Sequence, residues 1–429
     1  MLKKILSIAL AVVMIVSVAA FATSCGNTAG DNNSETTVAD NKANDGKEFK
    51  VGFIFLHDEN STYDLNFINA VKGAQAATGL TDSQVIMKTN FPEGQECYEA
   101  CEDLVDQGCS LIFADSFGHE TYLIEAAKKY TDVQFCHATG TRAHTEGLSN
   151  YHNAFASIYE GRYLAGVAAG LKLNEMIANG DFTAEEAVIG YVGAFTYAEV
   201  VSGYTSFFLG ARSVCPTATM KVQFTGSWYD EAMEKEAANA LIAKGCKLIS
   251  QHADSMGAPT ACEAAGVPNV SYNGSTVQAC PKTFIISSAI NWQPYMELII
   301  KNTMDGKAID ADWTGTLATG SVVLSDINTE AAAAGTAEKL AEVKNELENG
   351  TLKVFDTSKF TISTKCTDGS YRTDDNGKVL VACATDTDSN FANDTDNAII
   401  DGAYQESYTQ SAPSFVLRID GIKELNANS

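Results

Sequence analysis

Ten side chains in this 429-residue chain could hold a small ring-shaped molecule, and all stand in or beside segments that follow predicted β-strands. Aromatic rings offer flat faces for stacking, while hydroxyl, amide and carboxylate groups can hydrogen-bond to the edges of a ring. The aromatic candidates are Tyr63, Phe117, Phe195, Trp228 and Trp292. The polar candidates are Asn66, Ser116, Asp230, Asp254 and Asn273. These residue types suit a site for a flat heteroaromatic molecule and equally a site for a sugar.

Each aromatic candidate also has a structural explanation, which is packing in a lobe core or at a hinge. For Trp228 and Phe117 we favour binding, because a loop aromatic beside a small residue such as Gly226 or Gly118 has no core face to fill. Both explanations stay open for the other three, which are Tyr63, Phe195 and Trp292.

Two polar candidates have a local explanation as well. Asp230 directly precedes a predicted helix, whose first-turn N–H groups it could cap, and Asn273 precedes Gly274 in a predicted turn. Asp254 has no such local explanation. It is therefore the strongest polar candidate, since a carboxylate accepts hydrogen bonds from ring N–H and amino groups.

The sequence carries no motif typical of catalysis or metal binding. It lacks G-x-S-x-G and G-x-x-x-x-G-K, has no G-x-G-x-x-G after the first predicted strand, and its six histidines lack metal-ligand spacing. We interpret His137 and His252, which end predicted strands, as packing or hinge residues. Asp386, Asp388 and Asn390 lack the glycine and distal glutamate of a calcium loop. We expect no catalytic residue, metal or cofactor, and keep an extracellular enzyme as the competing class.

Short apolar strands alternate with helical segments from Phe49 onward, and the same order restarts after Tyr151. This alternation predicts an α/β fold of two doubly wound parallel-sheet lobes with a cleft between them. Ligands of such sheets bind beyond the carboxyl ends of the strands, where these candidates stand. The segments that follow the strands are 57–66, 115–118, 137–140, 194–199, 226–230, 252–257 and 273–274.

The N-terminal residues indicate export from the cell. Lys3 and Lys4 precede an apolar stretch that is short for a membrane span and interrupted by small residues. Ala22-Thr23-Ser24-Cys25 resembles a bacterial lipobox, which predicts a signal peptide over 1–24 and a lipidated Cys25. Residues 26–47 are almost all small or polar, which predicts a disordered tether. The alternative is an ordinary secretory peptide that leaves Cys25 unmodified.

The charge balance excludes two classes of partner. The whole chain has a net charge of −25, and removal of the two leader lysines leaves 27 basic against 54 acidic residues, a net charge of −27. A surface this negative repels nucleic acid and anionic lipid headgroups. Ten cysteines remain besides Cys25, at scattered spacings without a C-x-x-C pair, and we favour free thiols for most of them.

Several motifs at the strand ends resemble one known family. In chain order they are Ser116-Phe117-Gly118, His137-Ala-Thr-Gly140, Tyr159-Glu-Gly-Arg-Tyr-Leu-Ala-Gly166, Ile189-Gly-Tyr-Val192, Gly210-Ala-Arg-Ser213 and Ser250-Gln-His-Ala-Asp254. They are similar to those of the basic membrane protein family of ABC-importer binding lipoproteins, whose members bind purine nucleosides or bases. The resemblance spans about Lys50 to Thr316.

This resemblance implies a type I periplasmic binding protein fold and a small-molecule ligand handed to an ABC importer permease. The protein would be a monomer on the outer face of the cell membrane, held there by its lipid alone. The Ser-Phe-Gly and His-Ala-Thr-Gly motifs are nearer to the branch associated with free purine bases. Asn273 and Asn291 stand where nucleoside binders carry an acidic residue and a lysine. We therefore expect a purine base or similar heteroaromatic, with a nucleoside, sugar or signalling molecule as alternatives.

The predicted lobes are discontinuous in sequence, with chain crossings near Gly147–Tyr151, near Ile285–Trp292 and once toward the C-terminus. Asn376-Gly377 between two short apolar runs predicts a β-hairpin in an acidic C-terminal insert. The predicted domains are 48–148 with 290–325 as the N-terminal lobe, 149–289 as the C-terminal lobe, and 326–429 as the C-terminal segment.

Overall fold

Two parallel β-sheets flanked by helices make up most of the chain. The computed structural model describes residues 48–362, 364, 366, 370–383, 397–407 and 410–427. The predicted signal peptide, Cys25, the tether and the acidic stretch around Asp386 to Asn390 lie outside these residues. Both sheets belong to one compact unit.

The strands are short and mostly buried, as expected for sheets covered on both faces. They are β1 (Lys50–Ile54), β2 (Val85–Lys88), β3 (Cys109–Ala114), β4 (Gln134–Ala138), β5 (Tyr151–Ala156), β6 (Val188–Gly193), β7 (Thr219–Phe224), β8 (Leu248–His252), β9 (Asn269–Tyr272), β10 (Phe284–Ile290), β11 (Asp312–Gly315), β12 (Val322–Leu324), β13 (Tyr371–Thr373), β14 (Val379–Ala382), β15 (Ile399–Ile400), β16 (Ala403–Tyr404) and β17 (Ile422–Glu424).

Helices connect most of the parallel strands, and four of them end at a glycine in the left-handed conformation. They are α1 (Thr62–Thr78), α2 (Gln95–Asp106), α3 (Glu120–Lys129), α4 (Ala143–Glu146), α5 (Ile158–Asn179), α6 (Ala198–Val214), α7 (Glu231–Ala243), α8 (Gly257–Ala265), α9 (Gln293–Met304) and α10 (Thr336–Glu348).

Each sheet forms one lobe. The first has the order β11-β5-β4-β3-β1-β2 and is parallel throughout. The second has the order β12-β10-β9-β8-β6-β7-β17, in which only β12 runs antiparallel to its neighbour. This arrangement confirms the prediction of an α/β fold with two doubly wound parallel-sheet lobes.

The chain crosses between the lobes three times: from β5 to α5, from β10 to α9, which packs against α1, and from β11 to β12. Two strands lie in a different sheet from the one given by the predicted boundaries. β5 pairs with β4 in the first sheet, so the first crossing follows Ala156 instead of preceding Tyr151, and β12 pairs with β10 in the second. Strand order depends on pairing between distant segments, which the local alternation of strands and helices does not record.

Helices α5 and α6 of the second lobe pack closely against each other. A Cβ atom at Gly166 would overlap the carbonyl oxygen of Phe207, and one at Gly210 would overlap that of Tyr163. Only glycine allows the two backbones to approach this closely. The contact therefore fixes α6, whose first turn carries Glu199, against α5 in the second lobe.

The C-terminal residues pack onto the lobes. α10 contacts α5, β13 and β14 pair around Asn376-Gly377, and β17 extends the second sheet beside β7. No helix among the described residues has both the length and the apolar character needed to span a bilayer. Eight buried cysteines of the lobes carry free thiols, namely Cys97, Cys101, Cys109, Cys136, Cys215, Cys246, Cys262 and Cys280.

A candidate ligand-binding cleft between the lobes

A cavity lies where the carboxyl ends of the two sheets face each other, with about 400 Å³ of space between the atoms when the part open to solvent is included. This is where open parallel sheets bind their ligands. The first lobe contributes seven lining residues, Leu56, His57, Tyr63, Asp64, Ser116, Phe117 and Thr139. The second contributes five, Glu199, Trp228, His252, Asp254 and Tyr272.

Five of the ten residues predicted from the sequence line this cavity: Tyr63, Ser116, Phe117, Trp228 and Asp254. The hydroxyl of Tyr63 donates to the carbonyl oxygen of Asp115 at 2.6 Å, and that of Ser116 donates to Glu93 at 2.6 Å. These bonds leave both oxygens able to accept from a ligand.

The other five lie outside the lining. Asn66 donates to Asn273 at 3.4 Å beside the cavity, and Phe195 packs edge-on against Trp228 with ring centroids 5.0 Å apart. Asp230 caps α7 by accepting from the N–H of Met233 at 2.9 Å. Trp292 is 1% exposed and stacks on Phe67 at 4.6 Å in the core. For Asp230 and Trp292 the structural explanation therefore accounts for the observed contacts.

Seven lining residues were absent from the predicted set: Leu56, His57, Asp64, Thr139, Glu199, His252 and Tyr272. All of them end a strand, follow one, or begin the next helix, so their position was the available signal. The sequence predicts His252 to be a packing or hinge residue. In the structure its ring lies 4.2 Å from that of Tyr272 and both side chains face the cavity.

Four aromatic rings meet at the mouth of the cleft. Phe117 of the first lobe lies 5.2 Å from Tyr197 of the second, and Tyr197 contacts Phe195 at 5.2 Å and Trp228 at 6.0 Å, all measured between ring centroids. Phe117 and Tyr197 are 39% and 45% exposed. An aromatic rim thus bridges the entrance from both sides.

Hydrogen bonds also cross the cleft. The N–H and hydroxyl of Thr62 both donate to the carbonyl oxygen of Asp254, at 3.1 and 3.2 Å. The rings of His57 and Tyr229 lie 5.3 Å apart across the same gap. The structure therefore shows the lobes in a closed arrangement.

The cavity is acidic, with Asp64, Glu199 and Asp254 in its lining and neither lysine nor arginine among the lining residues. Asp254 is 5% exposed, and its carboxylate accepts one long bond from Asn273 at 3.4 Å. Burial, followed by the charges of Glu234, Asp64 and Glu199, raises its pKa well above the ordinary value. A ligand that brings hydrogen-bond donors would satisfy this carboxyl group.

Asp64 behaves differently because its own lobe already satisfies it. Burial acts to raise its pKa, but hydrogen bonds from the side chain of His57, the hydroxyl of Ser61 and the N–H of His57 outweigh burial and lower it. Asp115 lies behind it, fully buried, and there burial and the charge of Asp64 raise the pKa. Asp64 is thus the ionised acid of this wall.

The second wall rests on a buried guanidinium. Arg162 is 0% exposed and lies 5.2 Å from the centroid of the Tyr272 ring. It donates to the hydroxyl of Tyr191 at 2.9 Å, to the hydroxyl of Ser250 at 3.0 Å and to the carbonyl oxygen of Ser271 at 3.2 Å. Arg162 therefore joins the ends of β6, β8 and β9 beneath the cavity.

Comparisons with known proteins agree with this architecture. Residues 57–355 match the model of the family described as ABC transporter substrate-binding protein PnrA-like. The chain is 33% identical to a purine-binding protein of Brucella abortus over 263 residues, which cover 61% of this chain and 70% of that protein. It is 34% identical over 245 residues to a Haloferax volcanii protein named as an ABC transporter glucose-binding protein, covering 56% of this chain and 59% of the other.

The fold is similar to that of a solved solute-binding protein of an ABC transporter system from Aeropyrum pernix. The two share a TM-score of 0.60 at 16% identity, covering 75% of this chain and 95% of the other.

Proposed function

Because the chain belongs to the family of PnrA-like ABC transporter substrate-binding proteins, we propose that it binds a purine base or a similar flat heteroaromatic molecule in its cleft. Proteins of this family act outside the cytoplasm and hand a small molecule to the permease of an ABC importer. Ligand binding stabilises the closed lobes, because a ligand that contacts both walls binds the closed form more tightly.

The observation that carries this proposal is the combination of flat and acidic surfaces in one cavity. Tyr63, Phe117, Trp228 and Tyr272 offer ring faces, while Asp254 and Glu199 offer acceptors, with no basic side chain in the lining. A heteroaromatic ring with N–H and amino donors matches both features. An anionic ligand would meet repulsion from the ionised carboxylate of Asp64.

A base is preferred over its nucleoside because the two positions expected to bind ribose serve the protein instead. The amide of Asn273 bonds to Asn66 and Asp254, and that of Asn291 donates to Gly320 at 3.1 Å and accepts from the N–H of Gln293 at 3.2 Å. A carboxylate that accepts from the ribose hydroxyls would contribute roughly 1.5–3 kcal/mol to the free energy of nucleoside binding. With Asn273 in its place this contribution is lost for nucleosides and not for bases. The similar protein from Brucella abortus is named for purine binding.

A sugar is the second candidate, since the similar Haloferax volcanii protein is named for glucose binding. Trp228 and Asp254 would suit a sugar as well, by stacking on its apolar face and accepting from its hydroxyl groups.

The test is a thermal-shift and calorimetric screen of the mature chain with adenine, hypoxanthine, their nucleosides, glucose and amino acids. We expect the bases to raise the melting temperature most, without chemical turnover. Trp228→Ala and Asp254→Ala should each cost about 1–3 kcal/mol of binding free energy. Trp313→Ala is the matched control, because Trp313 packs on Tyr295 outside the cavity. A shift by glucose alone would replace the purine proposal by the sugar.

The mature protein, in this proposal, is a monomer that begins at a lipidated Cys25, with residues 26–47 as its tether to the membrane. The lipobox-like sequence supports the anchor, and the net charge of −27 after removal of the leader disfavours any other attachment to an anionic membrane. Light scattering of the soluble chain would measure the mass, and a dimer would contradict the monomer.

A further inference from the structure

A short C-terminal loop lies beyond the residues that match the family and contacts both lobes. The family match ends at residue 355, whereas this loop comprises residues 406–407 and 410–414. We name these residues the C-terminal clasp. Its contacts place the base of the loop on the second lobe and its tip on the first.

The base of the clasp is closed on itself and bound to α6. Glu406 is 3% exposed, and its carboxylate accepts from the hydroxyl of Ser202 at 2.6 Å. The N–H and hydroxyl of Ser414 both donate to the carbonyl oxygen of Glu406, at 3.0 and 2.6 Å. These bonds tie Ser414 to Glu406, so the two ends of the loop lie together on the second lobe.

The tip of the clasp is bound to the first sheet. Ser411 is 1% exposed, its hydroxyl donates to Asp312 of β11 at 2.6 Å, and its N–H donates to the other carboxylate oxygen of Asp312. The amide of Asn153 on β5 donates to the hydroxyl of Ser411 at 3.3 Å. The tip thus has three polar contacts with the edge of the first lobe.

The residues that bind the clasp, Asn153 in the first lobe and Ser202 in the second, are each close to a residue that lines the cavity. Asn153 exchanges two hydrogen bonds with Gly140, at 2.8 and 2.9 Å, and Gly140 follows Thr139 of the lining. Ser202 lies one turn after Glu199, the acidic lining residue of α6. The clasp therefore supports a wall of the cleft on each side.

We propose that the C-terminal clasp holds the lobes closed, with Ser411 and Glu406 as positioning residues for the ligand cleft. Because Ser411 is bound to the first lobe and Glu406 to the second, rotation of one lobe away from the other pulls on both contacts. The clasp raises the fraction of closed protein and thereby lowers the apparent Kd, which is the intrinsic Kd divided by that fraction. This rests on the proposed function only in taking the cleft as the ligand site.

The test uses the whole mature chain with Ser411→Ala, Asp312→Ala and the double variant. The reporter is hydrogen exchange of the Thr62 amide without ligand, because that N–H bonds across the closed cleft to Asp254. Each single variant should speed this exchange by about fivefold or more, and the double variant should add little, since both remove the same contact. Affinity for adenine should fall in proportion to the fraction of closed protein, which is a smaller factor than the gain in exchange wherever the closed form dominates.

Tyr204→Phe is the matched control, because the Tyr204 hydroxyl bonds the C-terminal residue Glu424 within the second lobe alone. It should leave Thr62 exchange unchanged. If the alanine variants fold poorly, Asp312→Asn takes their place. It keeps one acceptor for Ser411 and should therefore speed Thr62 exchange by a smaller factor.

The proposal that the clasp holds the lobes closed would be overturned by either of two results. One is unchanged Thr62 exchange in the Ser411 and Asp312 variants, and the other is an equal change in Tyr204→Phe. Failure of the purine proposal has a different signature. In that case wild-type protein binds no purine, while Ser411→Ala still speeds Thr62 exchange and the clasp stands.

Discussion

Buried carboxyl groups surround the cleft, and burial raises the pKa of several of them above its ordinary value. It raises the pKa of both Glu234, behind Asp254, and Glu406, at the base of the clasp, to about 7. The charged neighbours of Glu406 are Glu199 of α6 and Glu160 of α5, and Tyr159 of α5 also lies close. These groups make the stability of the protein depend on pH.

Glu406→Gln should flatten this dependence. Between about 4.5 and about 7 the folded state keeps a proton on Glu406 that the unfolded state has lost, so the free energy of unfolding falls as pH rises through this window. Above it the loss is constant, at roughly 3 kcal/mol. Glutamine removes the titration and can still accept from Ser202, so relative to wild type the variant should be more stable at pH 8 than at pH 5.

Urea unfolding at pH 5 and pH 8 measures this difference. Glu342→Gln serves as the control, because Glu342 is exposed and pairs with Lys339 on the surface. This variant should show the same change in unfolding free energy between the two pH values as wild type. Parallel slopes for Glu406→Gln and wild type would show that Glu406 keeps an ordinary pKa in the folded protein.

At the scale of elements, helix starts place several of the residues that face the cleft. Ser61 caps α1 by accepting from the N–H of Asp64, which brings Asp64 to the cavity wall. Asp230 caps α7, and Glu234 of its first turn bonds back to the N–H of Asp230 at 3.2 Å. Asp230 therefore serves α7, which begins at Glu231, whereas Trp228, two residues before Asp230, lines the cavity.

Asp230→Ala should therefore lower stability without affecting ligand binding. Loss of an N-cap costs about 1 kcal/mol of unfolding free energy. Asp230→Ser keeps an acceptor for the Met233 N–H and should restore most of it. Denaturant unfolding and calorimetry with adenine check the two effects separately. Weaker adenine binding with unchanged stability would instead place Asp230 among the ligand contacts.

At the scale of the whole molecule, three crossings connect the lobes, so they can move as rigid bodies about a bending hinge. The clasp and the crossings all lie outside the cavity, which leaves its aromatic rim as the entrance. A binding protein that works this way must stay near its permease after release of the ligand. The lipid that we propose on Cys25 would provide this by holding the protein at the membrane.

Cys25→Ser should abolish lipid attachment. We expect wild-type protein, expressed in a bacterium fed an alkyne fatty acid, to take up the label and remain with the membrane fraction. The variant should lose the label, because serine lacks the thiol that is acylated. Labelled Cys25→Ser, or unlabelled wild type, would favour the ordinary secretory peptide.

The sequence by itself determined the fold class, the family and the edge of the sheets at which the cleft lies. These features depend on local signals: apolar strands, helix periodicity, and motifs that stand directly after strands. Trp228, Phe117 and Asp254 were found in this way, because each stands in such a segment without a local structural role.

Only the tertiary structure decided which strand joins which sheet and which side chains meet in the cavity. β5 and β12 lie in the other lobe from the one predicted. Strand pairing depends on hydrogen bonds between distant segments, which the order of elements does not encode. Trp292 lies in the core and not in the cavity, because it stacks on Phe67, more than two hundred residues earlier in the chain. The clasp could not be predicted from the sequence for the same reason, since Ser411 and Asp312 are 99 residues apart in the chain.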